Sequence, residues 1–498
     1  MPVAARVRPS LALAVFGVAC SAASPAPMTA EEFKAALASA HAGDVVHVGG
    51  GTLEGTFLVP AGVTVDGGGA TFSSSSGAVF RLSSDSSATR PTTLAHAHVI
   101  ASGAAIIASG GGAARLEDLE LDVRTGFGIA AEDVRLEIRD VRVQGPIGGK
   151  DDPALAQLGA KLDPKLTAVF GLVQHGSTLT SEGVSVRGIA GFGIALIGVE
   201  AHMVDTAIAN CAGSSFFVEG GAGTFAGTTI DTGLTGRKIG YAILALGFVA
   251  SGGAEVTTSN LRVDAMKDVG VVTSGAHATH RDLLVTGSGR AGVWAQDSLA
   301  GAASELTLVN ATVENSAGTG VVLRRLAAAT LDGLVVRGTT SRTEVNAQLG
   351  TNQVGDGISA IGMRGPLTIA NSTLDANARV GLLLDGTDAS GASLACTAVT
   401  ISASATTPNA YGVVVQNGAV PPASGVNQSE ALGARDAQAR AANLTLAFAN
   451  ASSVPSLASL GQRTLLGTNG LIGTNGLIGT NGLIGEGGLI GEGGLTGP

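Results

Sequence analysis

Aromatic side chains are scarce in this chain of 498 residues: Phe, Trp and Tyr together make up 3%, and Trp294 is the single tryptophan. Sugar clefts usually stack pyranose rings on aromatic faces, so this scarcity weighs against a carbohydrate-cleaving site. Charge is also sparse, at 14% of residues, with 29 Lys and Arg against 39 Asp and Glu and a formal net charge of −10. No basic cluster offsets that deficit, which excludes a nucleic-acid surface, where Lys and Arg must neutralise phosphates. What abounds is small and aliphatic: 75 glycines in a chain that is 45% apolar. That composition suits a repetitive β-structure.

The N-terminus reads as a leader, residues 1–19. Arg6 and Arg8 precede the apolar stretch "LALAVFGVA", which is too short to span a bilayer as a mature helix, and Cys20 follows directly. The run "FGVAC" resembles a bacterial lipobox, which implies a diacylglycerol on Cys20, with Gly17 standing where that family usually has Leu. An ordinary secretory signal cut near "SAA" is the other reading. Both export the chain: as a lipoprotein of the outer membrane or cell surface, or as a secreted or periplasmic protein. Residues 20–28 then form a tether.

Aligning "LEDLELDVRTGFGIAAED", "SNLRVDAMKDVGVVTSG", "RDLLVTGSGRAGVWAQD", "VNATVENSAGTGVVLRR" and "ANSTLDANARVGLLLDG" shows one pattern. A short alternating strand is followed by a polar turn, then by glycine and a second alternating strand. The residue closing the first strand lies six positions before the glycine: Asp264 before Gly270, Thr286 before Gly292, Glu314 before Gly320, Asp375 before Gly381. The base period of about 22 residues is that of a solenoid, in which each coil buries its apolar face only by stacking on its neighbours. The pattern resembles the right-handed parallel β-helix of the pectate-lyase-like superfamily, and "AGDVVHVGGGTLEGTFLVPAGVTVDGGG" resembles that family's opening coil. The resemblance implies an all-β solenoid over residues 44–418. It leaves activity open, because the fold carries lyases, hydrolases, epimerases, adhesins and stalks.

The ends follow a capping logic. "TAEEFKAALASAHAG", residues 29–43, places Thr29 as N-cap with Glu32 three residues on, Phe33 and Leu37 on one face, and Gly43 as a stop. This helix is expected to plug the first coil. Residues 419–464 read as a second cap or a segment laid along the barrel. Residues 465–498 are a low-complexity tail with glycine at every third position from Gly467 to Gly497, a candidate for self-association. Cys211 and Cys396 fall roughly seven coils apart, about 34 Å at the strand spacing, too far for a disulfide.

In the strand after the glycine, Ile129, Ile194, Val271, Val293, Val321, Ile358, Leu382 and Val413 form an aliphatic column that should face the core. Alternation then turns Val272, Trp294, Val322 and Leu383 outward as an apolar stripe. Soluble monomers seldom leave such a stripe bare. The stripe is therefore expected either to contact a partner or to be covered, with "TTSRTEVNAQLGTNQV" and the segment after residue 418 as candidate covers.

One charged column keeps an enzymatic reading in view. Asp264, Thr286, Glu314, Arg337 and Asp375 close the first strand on successive coils, which stacks carboxylates and a guanidinium about 5 to 10 Å apart. Glycosidases use paired carboxylates, and lyases use carboxylates for Ca²⁺ with an Arg or Lys base. Against this, the "DPHD" run of mannuronan-epimerase-like members is absent. The only Asp-Asp, Asp151 and Asp152, lies in an inserted loop, and Arg237 and Lys238 are adjacent rather than on one strand face. His175, His202, His277 and His280 show no metal-ligand spacing, so no metal or other cofactor is expected outside the lyase alternative. The expectation is an exported, lipid-anchored, non-catalytic β-helix for adhesion, assembly or glycan contact. A lyase or hydrolase of acidic polysaccharide is the alternative.

Overall fold

The computed structural model describes residues 27–147, 169–233, 238–239, 241–242, 245–298, 301–346, 350–386, 391–402 and 411–428. Cys20, the leader, Asp151, Asp152 and everything after residue 428, including the glycine-rich tail, lie outside the described residues. The chain is an all-β parallel solenoid, and one representative coil explains its period. Glu255–Ser259 is followed by Arg262–Asp264 and then Val269–Ser274, and Glu255 pairs in parallel with His277, 22 residues on. Each coil thus has three strands, which form a front face, a side face and a back face of the stack. The expected pattern had two. In most coils the missing front strand follows the back strand across a short corner, Ser274 to His277 in this one, so little marks where it begins.

Each corner of the representative coil carries a residue in the left-handed region: Asn260, Ala265 and Gly275. Asp118, Asp140, Asp205, Asn260, Asp282, Asn310 and Asn371 occupy the front-to-side corner with φ between 47° and 54°. Asn and Asp tolerate this conformation better than other side chains, which explains the polar residue at each break in the alternation. The recurring glycine has a different cause. A Cβ on Gly270 would run into Val285 Cγ1 and the Gly292 carbonyl oxygen of the next coil. Only glycine lets the coils approach closely enough there to keep their hydrogen bonds.

Alternation sends one side of every strand inward. Val271, Val293 and Val321 are fully buried in the central core with Leu306, Val313 and Leu331, and they are neighbours in register. The helix Ala30–Ser39 closes the N-terminal end with a complete capping box between Thr29 and Glu32. Phe33 enters the first coil, with ring centroids 5.0 Å from Phe57 and 5.5 Å from Phe72. Cys211 and Cys396 are free thiols. Burial pushes the Cys211 thiol up to about 12, so it behaves as a small hydrophobe.

Candidate functional site

The three faces differ in what they offer to solvent. On the back face, fourteen parallel strands are described, and after the exposed Leu58 and Arg81 on the first two strands their outward column is largely buried, as the inward one is. Ile107, Ala130, Val173, Ala195, Phe217, Val249, Val272, Trp294 and Val322 belong to a second apolar cluster, and Leu383 to a third. Trp294 is 2% exposed. Its indole N–H donates to Gln296 Oε1 at 3.0 Å, and the Arg290 guanidinium lies 5.0 Å from the ring centroid. Val272, Trp294, Val322 and Leu383 therefore do not form an open contact surface, because an apolar column this long gains more from burial than from water. Part of the loop expected to cover the stripe forms the hairpin Arg342–Asn346 with Gly350–Val354. Arg342 donates to the Gly289 carbonyl at the corner preceding the Trp294 strand.

On the side face the charged column exists as a register. Asp264, Thr286, Glu314, Arg337 and Asp375 are successive paired neighbours, continued by Ser402. These side chains are engaged with one another. Thr286 Oγ1 donates to Asp264, the Arg337 guanidinium donates to Glu314 with its Nε at 2.8 Å, and Ser402 Oγ donates to Asp375 at 2.7 Å. Asp264 and Glu314 stand two rungs apart, as do Glu314 and Asp375. That is about 9.6 Å at the strand spacing, near the wide limit for an inverting carboxylate pair. Arg337 fills the position between Glu314 and Asp375.

The front face is the open one. A groove of about 810 Å³ runs across six strands, from Thr178 to Thr307. Its floor is a column of hydroxyls. Thr180, His202, Thr224, Thr257, Thr279, Thr307, Thr330 and Thr368 are successive register partners, threonine on seven rungs of eight. Beside it runs a second outward column: Thr178, Glu200, Ala222, Glu255, His277 and Glu305. His202 Nδ1 lies 2.7 Å from Thr224 Oγ1, and His277 Nδ1 lies 3.5 Å from Glu305 Oε2. The groove continues toward the N-terminal coils past Arg115, Glu137, Arg139 and Glu182, where Arg115 and Glu137 pair at 2.7 Å.

These residues lie on the front strand, outside the repeat defined by the strands that flank the polar turn. The signal was there in the five-residue strands "EVTTS", "HATHR", "ELTLV" and "AATLD", whose third residue is threonine each time. His202 and His277, which show no metal-ligand spacing in the sequence, share this face. His280 does not: it points into the core, 2.8 Å from Thr258 Oγ1, where burial pushes its pKa down to about 4 and keeps the ring neutral. Among the described residues no group of three or more His, Cys, Asp or Glu is placed to hold a metal ion.

Comparison with solved structures finds partial likenesses at low identity. The catalytic unit of a GH87 α-1,3-glucanase from Streptomyces thermodiastaticus is 16% identical, with a TM-score of 0.35 over 59% of this chain and 62% of the other. The Dettilon tailspike protein is 14% identical, with a TM-score of 0.37 over 65% and 62%. The A-module of the Azotobacter vinelandii mannuronan C-5 epimerase AlgE4 is 14% identical, with a TM-score of 0.27 over 80% and 90%. The likeness thus spans 62% of the length of the glucanase and of the tailspike. No protein-family model matches the chain, and no curated protein matches it. The class defined by the structure is the parallel β-helix solenoid.

Proposed function

We propose that this protein is an exported, non-catalytic β-helix that contacts a polysaccharide along its front face, held to the membrane through a lipid on Cys20. The observation that carries this reading is the threonine column in an open groove. A threonine hydroxyl stands on every rung of the groove but that of His202, at a rung spacing of about 4.8 Å over roughly 24 Å, a polar track suited to a chain of repeating polyols. The strands beneath it are paired on both sides, so no free edge is offered to a peptide backbone. The side-face carboxylates give the catalytic alternative no support, because they are satisfied by Thr286, Arg337 and Ser402 and stand outside the groove.

Affinity electrophoresis of the purified full-length chain in gels containing a panel of polysaccharides tests the reading. At least one polymer should retard the protein without the release of new reducing or unsaturated ends. The variant Thr224→Val/Thr257→Val/Thr279→Val should lose about tenfold in affinity while keeping its melting temperature, since valine suits an outward strand position as well as threonine. Retardation by no polysaccharide overturns the assignment, and chain cleavage overturns its non-catalytic part. The anchor has its own test: Cys20→Ser should move the protein from the membrane fraction to the soluble exported fraction. An unchanged distribution removes the lipid from the proposal.

A further inference from the structure

We infer that the polymer held by this groove is a linear, β-1,4-linked polysaccharide bearing free amino groups; this rests on the glycan reading above and specifies its ligand. The first observation is a spacing. Along the column beside the threonines, Glu200, Glu255 and Glu305 occupy every second rung, with Ala222 and His277 between them. All three glutamates line the groove, and all three are exposed. Two rungs measure about 9.6 Å, roughly the length of a disaccharide in an extended β-1,4-linked chain. Such a chain turns each sugar over relative to the last, so one side presents the same substituent once per disaccharide. An amine at that position meets a carboxylate at each repeat, and the hydroxyls between them meet threonines.

The second observation is what the groove lacks. Among the described residues no Phe, Tyr or Trp lines it, and the single tryptophan is buried on the back face. Ring stacking therefore contributes nothing, and bonds from neutral sugar hydroxyls largely exchange for equivalent bonds to water. Charge-assisted bonds from an ammonium to a carboxylate are roughly twice as strong as neutral ones and supply what the missing aromatics do not. A polyanion such as an acidic polysaccharide is disfavoured by the same three glutamates. The net charge of −10 also draws a polycation toward the molecule from a distance.

Isothermal titration of the full-length chain tests this with four probes: a β-1,4-linked glucosamine hexamer, its fully N-acetylated form, a β-1,4-linked glucose hexamer and a lysine oligomer of equal charge. The glucosamine hexamer should bind at least tenfold more tightly than the other three and weaken as salt is raised. The variant Glu200→Gln/Glu255→Gln/Glu305→Gln should bring the glucosamine and N-acetylated hexamers within about twofold of each other, with its melting temperature unchanged. Equal binding of charged and uncharged hexamers overturns the inference and leaves the glycan reading intact. Equal binding of the lysine oligomer through the same glutamates overturns it in favour of a general polycation site. Binding of none of the three hexamers overturns the inference, and the glycan reading then stands or falls with the polysaccharide panel.

Discussion

Val293→Asp should leave the chain unable to complete its central coils. Val293 is fully buried between Val271 and Val321 in the inward column of the back face. A carboxylate placed there enters the apolar central cluster, and an unpaired buried charge costs far more than the side chain it replaces. The expected loss is about 4 kcal/mol or more, at the upper end of what single substitutions produce. Because each coil of a solenoid is stabilised chiefly by the coils on either side, the break should divide the stack rather than remain local. Urea unfolding followed by circular dichroism measures it, with Val293→Ile as the control expected to stay close to the parent. A parent-like midpoint for Val293→Asp would mean that the side chain does not face the core.

The second large effect is expected at a buried ion pair on the back face. Asp356 is wholly inaccessible and accepts from Arg379 Nε at 2.7 Å and Nη2 at 2.6 Å, with Ser359 Oγ completing the set at 2.8 Å. Arg379 Nη1 also donates to the Gln353 carbonyl at 2.8 Å, which ties the hairpin's last strand to the same coil. Arg379→Met strands the carboxylate in the interior, and removing one partner of a buried pair typically costs about 3–5 kcal/mol. Adding Asp356→Asn in the same molecule removes the uncompensated charge and should recover much of that loss. Urea midpoints of the single and double variants decide it. A double variant no more stable than the single one would show that the charge on Asp356 is not what the arginine neutralises.

The parallel solenoid, its 22-residue period, the inward column from Ile129 to Val413 and the N-terminal plug with Phe33 and Leu37 were all legible in the residues. Each is a local pattern repeated coil after coil, and in-register stacking converts local periodicity directly into three-dimensional neighbours. The ladder Asp264, Thr286, Glu314, Arg337, Asp375 was legible for the same reason, since a fixed offset from a glycine becomes a fixed position on the stack. The number of strands per coil was not, because in most coils the corner between back and front strands is too short to read as a break.

What each face meets depended on segments far away in sequence. Periodicity states that Trp294 points out of the barrel, but not that its face is covered, nor that Gln296 and Arg290 engage its ring. It could not show that the ladder carboxylates are already bonded to their neighbours, or that Asp356 and Arg379, 23 residues apart, close on one another inside. Nor did it single out the groove, because Glu200, Glu255 and Glu305 are separated by insertions of different length and share a column only once the coils are stacked in register. The sequence by itself determined the solenoid and its inward columns, since alternation and period are properties of neighbouring residues. Which of the outward faces remains open to a ligand was decided by tertiary structure alone, because burial of an outward side chain is set by whatever part of the chain comes to lie over it.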